Sequence, residues 1–152
     1  MLLAKNRKAL YNYEIIEKFI AGIVLKGYEV KALREKKAGF EGSYVKLDNG
    51  KAVVVGLHIG KYSKQSKDFN EVSATRSRQL LLNKAELLKL ERELSQKGKT
   101  AVPLSLLLKN NRVKLEFALV KGRKQYEKKH VEKERQIKRD LAKKVKDLWN
   151  PQ

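Results

Sequence analysis

Few side chains in this sequence have the types and spacing that catalysis or metal binding requires. His58 and His130 are the two histidines, and neither has a second potential ligand at metal-binding spacing. We therefore interpret His58 as a partly buried ring on a strand, and we expect no metal and no cofactor. Because the chain has no cysteine, disulfide bonds and thiolate metal sites are excluded.

Residues 56–62 imitate a phosphate-binding loop without meeting its requirements. Three residues separate Gly56 from Gly60, one fewer than in a phosphate-binding loop. Tyr62 stands where a Ser or Thr hydroxyl would hold magnesium. Four carboxylates lie among basic neighbours, which indicates solvated ion pairs rather than an acid/base couple. They are Glu14, Glu17, Glu29 and Glu35. We predict that the protein is not an enzyme.

Net charge is the strongest signal in the composition. The 152 residues include 36 Lys and Arg against 17 Asp and Glu, a formal charge of +19. Such a charge concentrates a protein near polyanions and favours a nucleic-acid partner. The longest apolar runs are far shorter than the roughly 20 residues that span a bilayer. Apolar residues 1–4 precede the basic stretch 5–8, the reverse of a secretion signal, so we expect a cytoplasmic protein that is not inserted in a membrane. RNA, DNA and an anionic membrane surface all remain possible partners on charge alone.

The last stretch of the chain, residues 121–152, is a basic tail with 12 Lys and Arg against 5 Asp and Glu. Its apolar residues recur at spacings that bring them onto one face of a helix. They are Tyr126, His130, Ile137, Leu141, Val145 and Leu148 or Trp149. A helix with charged remaining faces has no core of its own, so we interpret the tail as an arm that becomes ordered on a nucleic acid. A helix docked on its own domain and a merely solubilising tail are the alternatives.

Residues 1–120 have the length and the pattern of one compact β domain. A long bent strand is predicted from Tyr13 to Leu25, with Gly22 suited to a bulge or a sharp bend. A hairpin between Tyr44 and Val55 turns at Asn49-Gly50. A second hairpin turns at Asn110-Asn111, and its return strand alternates between Val113, Leu115, Phe117 and Leu119 inward and Lys114 and Glu116 outward.

Two helices interrupt these strands. The first is predicted from Glu29 to Lys37. The second follows Asn83, which forms a capping box with Glu86 and precedes a buried stripe of Leu87, Leu90 and Leu94. The fold class that we predict is mainly β, an antiparallel barrel of the oligonucleotide-binding (OB) type with two or three α-helices and a basic C-terminal tail.

Basic residues stand at the ends of several predicted elements, where phosphates can be reached. Each cluster alone is a weak signal, since a solvated face looks the same in sequence. The clusters are Asn6-Arg7-Lys8, Lys31 with Arg34, and Arg76 with Arg78.

The order of several motifs resembles the SmpB family, the SsrA-binding proteins of bacteria. The resemblance runs from Asn6 to about Arg139, and its most specific segments are 27–31 and 78–82. Motifs in the first half are Asn6-Arg7-Lys8-Ala9, Tyr13-Glu14-Ile15, Ala21-Gly22-Ile23, residues 25–34 and Ser43-Tyr44-Val45. Motifs in the second half are residues 76–83, Val102-Pro103-Leu104, Lys109-Asn110 and residues 120–124.

The resemblance implies an OB-like barrel that binds the tRNA-like domain of transfer-messenger RNA. With EF-Tu and GTP, the family brings this RNA to stalled ribosomes for trans-translation, and the barrel replaces the missing anticodon stem. The tail, disordered when free, would occupy the small-subunit decoding centre and the empty mRNA channel and become helical there. The implied RNA-binding residues are Asn6, Arg7, Lys8, Gly22, Lys31, Arg34, Leu81 and Asn83. The implied tail residues are Gly122, Lys124, Tyr126, Glu127, Lys128 and Lys129, with helical residues such as Ile137 and Leu141 beyond them.

Ile20 departs from the family pattern, and in the tail Glu127-Lys128-Lys129 replaces the common Asp-Lys-Arg. Ile20 stands where members usually carry Glu, so a polar contact there is in doubt. Lys129 stands where an Arg is common and lacks the two-pronged contact of a guanidinium. Tyr126 occupies a site where Tyr or His is usual, and either ring can stack on a base.

Our prediction is therefore a monomeric, non-enzymatic RNA-binding adaptor that binds neither DNA nor a membrane. A structural ribosomal or ribosome-assembly protein, whose tail threads rRNA permanently, is the alternative. An RNA-modifying enzyme would need a site that the sequence does not show.

Overall fold

The computed structural model describes residues 1–64, 70–122 and 125–149, and within the last stretch it describes the side chains of residues 132–145. The strands are β1 (Leu2–Lys5), β2 (Tyr13–Ile23), β3 (Ala38–Gly39), β4 (Tyr44–Asp48), β5 (Lys51–Val55), β6 (His58–Ile59), β7 (Arg78–Leu81), β8 (Lys99–Lys109) and β9 (Arg112–Gly122). The helices are α1 (Ala9–Asn12), α2 (Gly27–Arg34), α3 (Glu71–Ala74), α4 (Lys84–Leu94) and α5 (Gln125–Trp149).

Seven strands form one antiparallel sheet that closes into a ring. Their order is β1-β8-β4-β5-β7-β2-β9, and the additional pairing of β8 with β9 closes the ring. The long strand β8 also pairs with β1, near Leu106, while β3 and β6 form a separate two-stranded sheet. The predicted fold class, mainly β and barrel-like with several helices, is confirmed. The short elements β1, β3, β7, α1 and α3 were missed, because two to four residues cannot display a period.

The barrel interior is filled by alternate residues of the long strands. Val113, Leu115, Phe117 and Leu119 of β9 are buried as predicted. Phe19 of β2 lies directly opposite Phe117, and the two rings stack with their centroids 5.2 Å apart. Each such pair of large side chains removes apolar surface from water and fixes the register of the two strands.

The turns follow the sequence signals. Asn49 and Gly50 have φ angles of 49° and 77°, and Asn110 and Asn111 have φ angles of 52° and 61°. Asn and Gly tolerate this left-handed region, which tight hairpin turns require. Both predicted hairpins are therefore confirmed. The predicted bulge at Gly22 is wrong, because the register of β2 against β9 shifts between Ile15 and Glu17 instead.

Capping hydrogen bonds and one left-handed residue determine where the two predicted helices begin and end. The backbone N–H of Lys26 donates to Oε1 of Glu29 at 2.8 Å, so α2 begins at Gly27 rather than at Glu29. Lys36, with a φ of 63°, prevents the helix from reaching Lys37. In α4 the capping box is confirmed, since the N–H of Glu86 donates to Oδ1 of Asn83 at 2.8 Å.

Candidate nucleic-acid interface

The first basic cluster lines a cleft of about 790 Å³ between the start of the chain and the segment that joins β3 to β4. Asn6 is held in place, because its Nδ2 donates to the carbonyl of Pro103 at 2.8 Å and its N–H donates to the carbonyl of Leu104 at 2.7 Å. Arg7 and Lys8 are exposed. Asn6 therefore anchors the segment on β8, and the two cations stay available for phosphates.

Besides Tyr13, two further aromatic residues line the same cleft, Phe40 and Tyr44. Cations beside aromatic rings are the combination that binds unstacked bases and their phosphates. Neither ring was among the predicted site residues, since they reach the basic cluster only through the fold.

A second site, which we call the Leu81 pocket, forms where β2 meets β7. Gly22 pairs with Leu81, and a Cβ atom at Gly22 would lie 3.3 Å from the Cβ of Leu81. The side chain of Leu81 is 56 % exposed. The pocket measures about 270 Å³ and is also lined by Val30 of α2, Arg112 and Lys114. The fold thus brings two predicted residues together with α2 and adds two cations that sequence analysis did not select.

Two further residues adjoin this region. Ile20 lies two positions before Gly22 on β2 and is 58 % exposed. Asn83 is exposed just after β7, where the oxygen of its side-chain amide caps α4. Ile20 offers only apolar contact, whereas Asn83 keeps its amide nitrogen as a donor.

Lys31 and Arg34 project from α2 and are both exposed, as predicted. The Nζ atom of Lys31 lies 5.4 Å from the centroid of the Tyr62 ring, within the range of a cation–π contact. Ala32 and Leu33 between them are completely buried. The helix therefore buries its apolar face and presents its cations outward.

Arg78 is a correction to the sequence prediction. Its side chain is 0 % exposed, so its guanidinium does not reach a phosphate. Nε donates to Oε2 of Glu29 at 2.7 Å, and Nη2 donates to the carbonyl of Ala74 at 2.9 Å. Nη1 donates to the carbonyls of Leu57 at 2.5 Å and Arg76 at 3.2 Å. An exposed Arg78 was expected from the sequence because Glu29, its charged partner, is 49 positions away along the chain.

Glu29 is the second correction, since its side chain is 3 % exposed and not solvated. Its Oε1 accepts hydrogen bonds from Nη2 of Arg76 and from the N–H of Lys26. Arg76 is itself 28 % exposed, and its Nε has no hydrogen-bond partner. We call Glu29, Arg76 and Arg78 the buried ion cluster. Of the other three carboxylates, Glu14 and Glu35 are exposed, and Glu17 pairs with Lys89 at a half-exposed site.

The buried ion cluster holds Glu29 in its charged form. Burial by itself would raise the pKa of Glu29, but the hydrogen bonds from Arg76 and Lys26 and the charge of Arg78 outweigh burial and lower this pKa below 4.5. Burial lowers the pKa of the Arg78 guanidinium, and Glu29 opposes that shift. Arginine nevertheless stays protonated in proteins.

The depressed pKa of Glu29 predicts acid sensitivity. A carboxyl group whose pKa is lower in the folded state contributes stability above its unfolded pKa of about 4.5 and loses it as pH falls through the folded pKa. The free energy of unfolding, measured with urea, should therefore fall as pH decreases below about 4.5. Glu29→Gln should flatten this dependence. An equally steep fall in Glu29→Gln would contradict the assignment.

The tail residues are only partly described. Gly122 is the last residue of β9 and pairs with Tyr13, so it belongs to the barrel ladder. Lys124 lies outside the described residues. Four predicted residues belong to α5, with side chains outside the described set; they are Tyr126, Glu127, Lys128 and Lys129. Ile137 and Leu141 are 50 % and 57 % exposed, so the apolar stripe faces solvent.

The segment that imitates a phosphate loop has a structural role. Gly56 has a φ of 77°, and a Cβ atom there would lie 3.1 Å from the carbonyl oxygen of Gly42. His58 lies on β6 and is partly buried, as predicted, with Nε2 3.5 Å from a carboxylate oxygen of Glu71. Within the described ranges, three or more His, Cys, Asp or Glu side chains do not converge at any point as a metal site would require. None of the described helices is both long and apolar enough to cross a membrane.

A closed antiparallel barrel with exposed cations around an aromatic cleft and an apolar pocket defines a basic nucleic-acid-binding protein of the β-barrel class. The family model described as SmpB protein matches residues 3–147. The chain therefore belongs to the SmpB family, and the resemblance found in the sequence is confirmed.

Similar proteins agree with this assignment. The chain is 46 % identical over 145 residues to the SsrA-binding protein of Persephonella marina, covering 95 % of this chain and 94 % of that protein. It is 45 % identical over 144 residues to the SsrA-binding protein of Pseudomonas syringae, covering 95 % and 89 %. A solved chain described as "tmRNA-SmpB: a journey to the center of the bacterial ribosome" has a TM-score of 0.67 and 40 % identity, over 80 % of this chain and 85 % of that one.

Proposed function

We propose that this protein binds the tRNA-like domain of transfer-messenger RNA and delivers it to stalled ribosomes for trans-translation. The observation that carries the proposal is the 46 % identity to an SsrA-binding protein over 95 % of the chain. The protein acts as a monomeric, non-enzymatic adaptor in the bacterial cytoplasm, and EF-Tu with GTP joins it through the RNA.

The RNA-binding surface of the barrel combines two kinds of contact. Leu81 and Val30 offer apolar atoms to a ribose or a base face, while Gly22 leaves room for the Leu81 side chain on the neighbouring strand. Exposed Lys31 and Arg34 neutralise phosphates beside that contact. The apolar part fixes the register of the RNA, and the cations supply most of the affinity.

The N-terminal cleft is a second basic surface of the barrel. Arg7 and Lys8 meet phosphates, and Phe40 or Tyr44 offers a ring on which an unpaired base can stack for about 1–3 kcal/mol.

The tail supplies the contact with the ribosome. Residues 123–129 enter the decoding centre, where Tyr126 stacks on a base and the cations among Lys124, Lys128 and Lys129 pair with phosphates. Beyond them the exposed stripe of Ile137, Leu141 and Val145 packs in the empty mRNA channel. Phosphates around the channel reduce the repulsion among the basic side chains of α5.

A binding experiment separates this function from that of a structural ribosomal protein. Electrophoretic mobility shift should show tighter binding to the isolated tRNA-like domain of transfer-messenger RNA than to ordinary tRNA. A ribosomal or assembly protein would instead prefer an rRNA fragment. Equal affinity for all three RNAs would overturn the proposed function.

Salt dependence tests the phosphate contacts. With Arg7, Lys8, Lys31 and Arg34 each on one phosphate, the log–log slope of affinity against salt should be about −3. Lys31→Ala with Arg34→Ala should reduce its magnitude by about 1.5. Lys51→Ala, an exposed cation on the β4–β5 hairpin, is the matched control and should leave the slope unchanged. A flat affinity over a several-fold range of salt would contradict the electrostatic part of the proposal.

A further inference from the structure

We propose that Glu29, Arg76 and Arg78 are positioning residues for RNA binding. The buried ion cluster fixes the orientation in which α2 presents Lys31 and Arg34, and the inference rests on the proposed function of that surface.

Stability alone does not account for three charges in this place. Removing ions from water is costly, and apolar residues of similar volume often stabilise a fold as well or better. What a carboxylate–guanidinium contact adds is direction, because the donors of a guanidinium lie in one rigid plane. A cluster of this kind is therefore suited to hold one element at a set angle to another.

The contacts of Arg78 join four separate parts of the fold. Its three guanidinium nitrogens reach Glu29 of α2, the carbonyl of Leu57 before β6, the carbonyl of Ala74 in α3 and the carbonyl of Arg76 before β7. Nη2 also lies 2.6 Å from Oε2 of Glu29. Every nitrogen of the side chain is engaged, so a small movement of α2 breaks hydrogen bonds that water cannot replace at a buried site.

Rotation of α2 is the movement that the cluster opposes. At about 100° per residue, Lys31 and Arg34 lie about 200° and 140° around the helix axis from Glu29. Any rotation that pulls Glu29 from its partners therefore moves both cations through the same angle. The buried Ala32 and Leu33 hold the helix against the core, but apolar contact is non-directional and resists rotation weakly.

The cluster also connects the cations to the apolar contact. Arg78 is the first residue of β7, and Leu81 is the last. Glu29 precedes Val30, which lines the Leu81 pocket. One set of ion pairs thus fixes α2 relative to the strand that carries Leu81, so phosphate contacts and apolar contact keep a constant spacing.

The first experiment replaces the cluster with apolar side chains, as Glu29→Leu, Arg76→Leu and Arg78→Met together. Apolar replacement preserves folding in comparable clusters, so circular dichroism should show an intact barrel. Affinity for the isolated tRNA-like domain should fall about tenfold, and the magnitude of the salt slope should fall by about one. A folded triple variant with wild-type affinity and slope would overturn the proposal.

A milder variant decides the case even if the triple variant does not fold. Arg76→Gln leaves the pair of Glu29 and Arg78 in place. Its effect on RNA affinity is compared in the wild-type protein and in the double variant Lys31→Ala, Arg34→Ala. Positioning predicts a several-fold loss of RNA affinity in wild type and none in the background that lacks both cations. An equal loss in both backgrounds means that Arg76 itself contacts RNA, and this result, or no loss in either, overturns the proposal.

A measurement without RNA separates this inference from the proposed function. Because the chain has no native cysteine, Lys31→Cys and Lys84→Cys can carry two spin labels, one on α2 and one on α4. Double electron–electron resonance should give a narrow distribution of distances between the two labels. This distribution should broaden when Arg76→Gln is added. An unchanged distribution overturns positioning. If the distribution broadens but the unlabelled wild-type chain does not bind transfer-messenger RNA, the proposed function alone is overturned.

Discussion

Ending the chain at Gly122 should abolish trans-translation while leaving a folded barrel that still binds the tRNA-like domain. Gly122 is the last residue of β9, so the truncation keeps the whole strand ladder and the buried core. It removes 11 Lys and Arg and 5 Asp and Glu, a net charge of +6. Peptide tagging in a reconstituted translation system and mobility shift with the RNA measure the two properties.

The matched control for the truncation is Leu141→Pro in the full chain. It keeps the charge of the tail but interrupts α5 in its middle, at a cost of about 3 kcal/mol or more. If the helix enters the channel, this variant should also lose most of its tagging activity and keep its RNA affinity. Tagging by the truncated protein would disprove the role of the tail, and its unfolding would disprove the independence of the barrel.

Arg78→Met should destabilise the barrel by about 3–5 kcal/mol, because it leaves the carboxylate of Glu29 buried with only Arg76 as a charged partner. In a domain of this size that corresponds to a fall in Tm of roughly 10–15 °C. Differential scanning calorimetry and urea unfolding measure both quantities.

Lys89→Met is the matched control for Arg78→Met. It removes the Lys89 ammonium, whose Nζ lies 2.5 Å from Oε1 of Glu17 at a half-exposed site. The free energy of unfolding should fall by less than about 1 kcal/mol. Similar losses in the two variants would show that the buried ion cluster is no more coupled to folding than a surface pair.

Local rules predicted much of the fold. The turn at Asn49-Gly50 and the capping box of Asn83 with Glu86 depend on residues within a few positions of one another. Strand alternation in β9 likewise requires only that one face meets the core. These features could be read from the sequence because the residues that cause them are neighbours.

The candidate site was less accessible to the same rules. Arg78 and Glu29 are 49 positions apart, so the sequence showed a cation and a carboxylate but not that they would neutralise each other. Phe40 and Tyr44 join Arg7 and Lys8 only because the β3–β4 segment folds over the start of the chain. Resemblance to the SmpB family selected Gly22 and Leu81 before any contact between them was known, and the structure pairs them.

The pairing of Gly122 with Tyr13 gives the tail a fixed origin. Because this end of β9 is paired into a closed sheet, its position is fixed. Any movement of the tail relative to the barrel therefore begins after Gly122. The 25 residues of α5 extend about 37 Å. We therefore expect this length to limit how far from a barrel-bound RNA the end of the tail can make a contact. Adding or deleting residues just after Gly122 should change that distance without altering the barrel or α5.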